Sequence, residues 1–123
     1  MSQPRGDVVL TVRQPWASLI VSGIKTVENR TWSTTHRGRL LIHAGSNKAR
    51  TSAAATAFGE HLGYYYPLGV VIGSVDVVDV VRDSGLPYAV KDHWHWILAN
   101  PVAFDDPIPA SGSLGLWRIT LGR

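Results

Sequence analysis

The apolar positions of this chain fall into short runs separated by turn residues. Val8 to Val12 form a β-branched stretch that predicts a first strand ending at Arg13 and Gln14. Pro15 then suits the first position of a helix, where its missing N–H costs nothing, and Trp16 to Ser22 make a short apolar helix stopped by Gly23. Ile24 to Trp32 reads as a second strand, and the two-residue period places Glu28, Arg30 and Trp32 on one of its faces, with Lys25 at its mouth. Ser33 to Gly38 is a polar loop, and Arg39 to His43 a third strand that Ala44, Gly45 and Ser46 end.

The remaining pattern extends this alternation. Thr51 to Leu62 has helix-forming composition, with Ala54, Ala55, Phe58 and Leu62 as its apolar stripe and Gly63 as its stop. Tyr64 to Pro67 is a turn with an aromatic face. Val70 to Val81 is the most strand-like segment, with Gly73 marking a bulge or corner, and Asp76 and Asp79 cannot both face inward on a regular strand. Arg82 to Asp92 is a loop. His93 to Ala99 alternates histidine and tryptophan faces, and Leu116 to Leu121 is a last strand. The expectation is one α+β domain over residues 1–123, core about 8–121, with about six strands in a mixed, closed sheet and two flanking helices.

Composition narrows the chemistry. The chain has 123 residues, a mean hydropathy near zero at +0.02 and no cysteine, which removes disulfides, thiolate metal sites and thiol nucleophiles. Leu68 to Val81 is broken by Gly73, Ser74, Asp76 and Asp79, so no segment reads as a membrane span, and Met1 to Asp7 lacks the pattern of a secretion signal. A soluble, cytoplasmic protein is expected. The net charge of +3 is uneven: residues 1–50 carry eight Lys or Arg against Asp7 and Glu28, whereas residues 51–123 carry four against seven acids. Nine of the twelve basic residues are Arg, whose planar fork suits phosphate or carboxylate. An anionic partner follows from that bias.

The densest polar cluster is Gly23 to Arg30, one short helix after Gln14-Pro15-Trp16. Lys25 can serve as a general base if its surroundings lower its pKa, Glu28 can hold Lys25 or relay a proton, and Arg30 can bind a phosphate or carbonyl oxygen. An exposed strand with a cross-face ion pair explains the same residues, and spacing alone leaves both readings open. His93 and His95 could donate two metal ligands, but no third is evident; Trp94, Trp96 and Trp117 read as core more readily than as a base cage. Ser111-Gly112-Ser113 lacks the context of a nucleophile elbow, and Gly112, Gly115 and their neighbours read as a turn, not a phosphate loop.

Arg13-Gln14-Pro15-Trp16-Ala17, Gly23-x-Lys25-x-x-Glu28-x-Arg30-x-Trp32 and His36-Arg37-Gly38-Arg39-Leu40-Leu41-Ile42-His43-Ala44 together resemble the activating-signal-cointegrator homology (ASCH) domain. Pro67-Leu68-Gly69, Gly73-x-Val75 and Gly115-Leu116-Trp117 are similar to its later strands, so the resemblance runs from about residue 9 to 120. It implies a PUA-like β-barrel with a cleft between the first helix and the barrel, and association with RNA or another single-stranded nucleic acid, including a modified nucleoside. The turn at Gly112 and Gly115 then reads as one that brings backbone close to that cleft. The residues it points to are Arg13, Gln14, Trp16, Lys25, Glu28, Arg30, Trp32, Arg37, Arg39 and His43, with Lys48 and Arg50 following the backbone. Tyr64 to Tyr66 and Trp96 join Trp16 and Trp32 as stacking surfaces.

The resemblance also carries an enzymatic alternative. One bacterial subgroup deacetylates N4-acetylcytidine; its lysine matches Lys25 and its arginine Arg30, while Glu28 stands where its catalytic threonine falls. Lys25 and Glu28 are then the catalytic candidates. A carboxylate beside Lys25 is expected to hold the ammonium charged, which favours binding over catalysis. Other members are linked to metal-dependent ribonuclease activity, and His36 and His43 lie near the basic region. No cofactor or metal site is assigned, and the oligomeric state is left open.

Overall fold

The computed structural model describes residues 6–63 and 65–121. Their order is β1 (Asp7–Gln14), α1 (Trp16–Val21), β2 (Val27–Arg30), β3 (Gly38–Lys48), α2 (Ser52–Ala57), β4 (Val70–Val81), β5 (Trp94–Pro109) and β6 (Leu116–Ile119). Phe58–Leu62 continue α2 as a wider π-helical turn. Tyr64, a stacking candidate, lies outside the described residues.

All six strands join one mixed sheet in the order β2-β5-β4-β3-β1-β6, with β1 and β3 parallel and the other pairs antiparallel. The expected closed barrel is not what forms: β2 and β6, four residues each, are the two free edges among the described residues. The sheet nevertheless curls. β6 pairs with β1 only as far as Leu10, and beyond it the Thr11 carbonyl accepts a hydrogen bond from Arg30 Nη2 of β2 at 2.8 Å. A guanidinium bridges the two sides where a backbone ladder would close a barrel, and the opening beside it is the cleft.

β1 and β3 read as continuous apolar runs because both of their faces are buried. Leu10, Val12, Leu40, Ile42 and Ala44 enter the main core with Ala17, Ile20 and Val21 of α1 and Trp96 of β5. Val9 and Leu41 enter a second cluster with Val71, packed against Phe104, Ile108 and Trp117. The interior thus anchors the ends of β1 and β3 that frame the cleft.

Several boundaries depart from expectation for visible reasons. Pro15 caps α1 rather than opening its first turn, since its carbonyl already accepts from Leu19 N at 3.1 Å. In α2 the buried positions are Ala54 and Ala57, whereas Ala55 is exposed. β3 runs past Ala44 to Lys48, because Gln14 of β1 pairs with Lys48 beyond the bulge. β5 continues ten residues past Ala99 despite Pro101 and Pro107. Its register against β4 slips between Val102 and Ala99 and again between Ile108 and Ala103, so each proline falls in a bulge where no ladder N–H is required. Gly73 sits beside a register shift, as its sequence context predicts. A Cβ there would lie 2.0 Å from the Val102 carbonyl oxygen, so β4 and β5 approach at this point only because residue 73 has no side chain.

Candidate functional site

The two-residue period holds for Glu28 and Arg30, although the strand expected over Ile24–Trp32 spans only Val27–Arg30 and leaves Trp32 in the bend that follows. Glu28 and Arg30 project from one face, and Arg30 Nε donates to Glu28 Oε2 at 2.7 Å. Lys25 arrives from the turn after α1, where its own N–H donates to Leu19 O at 3.0 Å, and its ammonium lies 3.5 Å from Glu28 Oε1. Lys25 Nζ also donates to the Val27 carbonyl. The result is a cation–anion–cation row in which Lys25 and Glu28 are only 4% and 5% exposed. Arg30 remains more open, with 23% of its side chain exposed.

Burial decides the electrostatics of Lys25. Desolvation pushes its pKa below the ordinary lysine value of 10.5, and the Arg30 charge acts in the same direction; attraction and a hydrogen bond from Glu28 offset this only in part. Of the two opposing effects readable in the sequence, surroundings that lower the Lys25 pKa and a Glu28 carboxylate that raises it, the first is the larger. Two of the three ammonium protons have protein acceptors, Val27 O and Glu28 Oε1. The third has no acceptor among the described residues, and Lys25 lines the cleft.

The cleft has a volume of about 1590 Å³, above the roughly 300–1,000 Å³ of typical small-molecule pockets. Arg13, Trp16, Lys25, Glu28, Arg30, Trp32 and His43 all line it. Trp16 sits over Lys25, whose Nζ is 5.9 Å from the ring centroid, and Trp32 packs edge-on against the fully buried Trp96 at 4.9 Å. Trp96 is core and offers no stacking face. Tyr65 is exposed and Tyr66 accepts from Lys48 Nζ at 2.9 Å, with neither among the lining residues.

Three candidates lie elsewhere. Gln14 is fully buried and spends its amide on the fold: Oε1 accepts from Ser18 N at 3.0 Å, while Nε2 donates to Ser18 Oγ and to Pro67 O. Arg37 faces Asp79 at 3.9 Å and Arg39 faces Asp7 at 3.6 Å, at the start of β3 and outside the cleft lining. At the other end of β3, Lys48 and Arg50 are also outside the lining, but the residues that flank them, Asn47 and Thr51, line the cleft. The two ends are about 30 Å apart at strand rise.

His43 stands opposite Thr11 in the parallel ladder. Its Nε2 faces the Ala110 carbonyl at 2.7 Å and must donate, because a carbonyl only accepts; Nδ1 is left to Thr11 Oγ1 at 3.2 Å, which in turn accepts from Trp117 Nε1 at 3.1 Å. This chain ties β1, β3, β6 and the 110–115 loop together. Gly112 lies against it so closely that a Cβ would come within 3.0 Å of His43 Cε1 and Thr11 Oγ1. His36 is committed to the Arg39 carbonyl at 2.8 Å, His93 to Lys91 O at 3.0 Å, and His95 to the 84–90 loop. Among the described residues no three His, Asp or Glu side chains converge, so the donor set of a metal-dependent nuclease is not assembled by His36 and His43.

Sequence reasoning brought the turn around Gly112 and Gly115 close to the cleft but missed Thr11, Tyr88 and Ala110 as its walls. Nothing local marks them. Ala110 is 67 residues from His43, and Tyr88 is brought in by contacts to β2 that no pattern along the chain encodes.

Comparison with known proteins bears on the whole arrangement. The family model of the ASCH domain matches residues 10–108. The chain is 32% identical over 130 aligned positions to human activating signal cointegrator 1 and 31% identical to the mouse protein; each alignment covers 93% of this chain and 22% of the relative. The chain thus spans about a fifth of the length of those proteins. Among solved structures, the ASCH protein of Zymomonas mobilis superposes with a TM-score of 0.63 at 17% identity, covering 94% of this chain and 89% of that one. A mutant of the Zymomonas mobilis protein gives 0.60 at 18%, covering 94% and 91%. The structural likeness supports a PUA-like fold.

Proposed function

Because this chain belongs to the ASCH domain family, we propose that its cleft binds single-stranded nucleic acid, RNA in the first instance, with one nucleotide seated over Lys25, Glu28 and Arg30. The observation that carries this reading is the arrangement of cations along one opening. Arg13, Lys48 and Arg50 pair with no carboxylate among the described residues; Arg13 lines the cleft with Lys25, Glu28 and Arg30, and Lys48 and Arg50 are next in sequence to the lining residues Asn47 and Thr51. Phosphates answer such a track, and the polar row beneath it offers both donors and an acceptor to a base edge. The cleft volume exceeds what one small metabolite needs, which favours a strand over a free anion.

Charge substitutions test the track. Each neutralised phosphate contributes about 0.7 to the salt slope of a single strand, so Arg13→Ala, Lys48→Ala and Arg50→Ala combined should lower it by about 2. That change corresponds to about 20-fold less salt sensitivity between about 50 and 200 mM salt. Arg37→Ala with Arg39→Ala, at the far end of β3, should leave the slope unchanged. Equal losses from both sets, read by fluorescence anisotropy of a labelled oligoribonucleotide, would contradict the proposed path.

One observation favours a second reading, hydrolysis of an acylated nucleoside. A lysine held below its ordinary pKa supplies more neutral amine at neutral pH, and a neutral amine can take a proton from an attacking water. Water oxygen then bonds to the acetyl carbon, the C–N bond breaks, and the Lys25 ammonium so formed, held by Glu28, can return the proton to the departing cytosine nitrogen. Release of acetate from N4-acetylcytidine, abolished by Lys25→Ala in a folded protein, is the result this reading expects; an inert wild-type protein excludes it.

A further inference from the structure

The loop between β4 and β5 forms one wall of the cleft, and it is held more firmly than a surface connection requires. Tyr88 has φ +70°, in the left-handed region that bulky side chains adopt only where their surroundings impose it. The imposing residues are a cross-strand pair. Asn29 of β2 and His95 of β5 stand directly opposite each other in the antiparallel ladder. Asn29 Nδ2 donates to Tyr88 O at 3.0 Å and its Oδ1 accepts from Val90 N at 2.8 Å. His95, 4% exposed, accepts at Nδ1 from Ser84 N at 3.1 Å and donates from Nε2 to Val90 O at 2.7 Å. Four bonds from two side chains thus fix the loop on both sides of Tyr88.

What they fix is an aromatic corner. The Tyr88 ring meets Trp16 with centroids 6.0 Å apart and planes at 63°, and both line the cleft beside Lys25. The two rings therefore present faces in different directions, so that a planar heterocycle stacked on one is stopped by the other. A sugar–phosphate chain gains nothing from such a corner, whereas a base does. We propose that Tyr88 is a specificity-determining residue that makes the cleft select a base-bearing strand, and that Asn29 and His95 are the positioning residues that hold it there. The proposal rests on the nucleic-acid reading above and adds to it the part of the nucleotide that is read.

The test compares an oligoadenylate decamer with the same decamer of abasic ribose phosphates, which carries the charge without the bases. Wild-type protein should bind the base-bearing strand about 5- to 150-fold more tightly. Tyr88→Ala should lower that ratio several-fold, Trp16 and the polar row remaining, while leaving abasic affinity and its salt slope unchanged, and Tyr88→Phe should keep the ratio. Asn29→Ala should lower the ratio without touching abasic affinity; Asn29→Asp, which retains the acceptor for Val90 N and loses the donor to Tyr88 O, should fall between. Tyr88 is on the surface of a loop, and thermal unfolding of each variant confirms that the fold persists. An undiminished ratio in Tyr88→Ala, or equal affinity of wild type for both strands, overturns the role of Tyr88 while the phosphate track stands. Failure of wild type to bind either strand at low salt overturns the nucleic-acid reading and this inference with it.

Discussion

Replacing Glu28 with leucine is expected to lower the stability of the folded chain by about 3–5 kcal/mol. Glu28 is the one anion between Lys25 and Arg30, and two of the three groups are buried. Without it, Lys25 keeps its desolvation and the Arg30 repulsion but loses both effects that raise its pKa. The ammonium must then be held unpaired in a dry site or give up its proton. Glu28→Gln, which keeps an acceptor for Arg30 Nε but no charge, should lose less. Lys25→Met combined with Glu28→Leu should recover part of the single-variant loss, because the buried pair leaves together. Urea unfolding at neutral pH reads all three; a loss under about 1 kcal/mol for Glu28→Leu would mean that the row behaves as a solvated surface pair.

The second large effect is a divergence with pH. The unfolded chain holds the Lys25 proton up to about 10.5, and the folded chain releases it earlier. Between the two values the unfolded state binds more protons, so stability rises with pH there, and the cost of the buried ammonium is fully present below the folded pKa. Binding runs the other way. A charged hydrogen bond from Lys25 to a ligand is worth about 10- to 150-fold in affinity, and this should fade as pH rises through the folded pKa, below 10.5. Lys25→Met should start at the low affinity and show no such decline. Hydrolysis by a neutral amine would instead rise through the same ionisation. A pH series of affinity and of acetate release therefore separates the two readings, and a flat affinity profile in wild type would remove Lys25 from ligand contact.

The parts of the molecule legible in the sequence are those set by local chemistry. Val8 to Val12 and Val70 to Val81 announce strands because β-branched residues fill positions buried on one or both faces, and Glu28 with Arg30 announces a shared face by spacing alone. The latter half of β5 is hidden by Pro101 and Pro107, which read as breakers until the bulges that accommodate them are seen. A closed sheet is expected from the strand pattern and from the family resemblance alike; the sheet stays open, with the four-residue β2 and β6 at its edges, and Arg30 reaches from β2 to the Thr11 carbonyl of β1. Basic charge was visible as a total for residues 1–50, but only the tertiary path of β3 shows that Arg39 and Lys48 stand at opposite ends of one strand. Lys25 shows the same limit: its partner was readable at i+3, while the burial that outweighs that partner depends on how α1 and β2 pack.

The claim that the cleft is a nucleic-acid site is met most directly by a salt titration of wild-type protein with a fluorescent oligoribonucleotide. Contacts from Arg13, Arg30, Lys48 and Arg50 predict binding at low salt whose logarithm falls against the logarithm of salt with a slope of about −3. Absence of binding at low salt, or an affinity indifferent to salt, would contradict it.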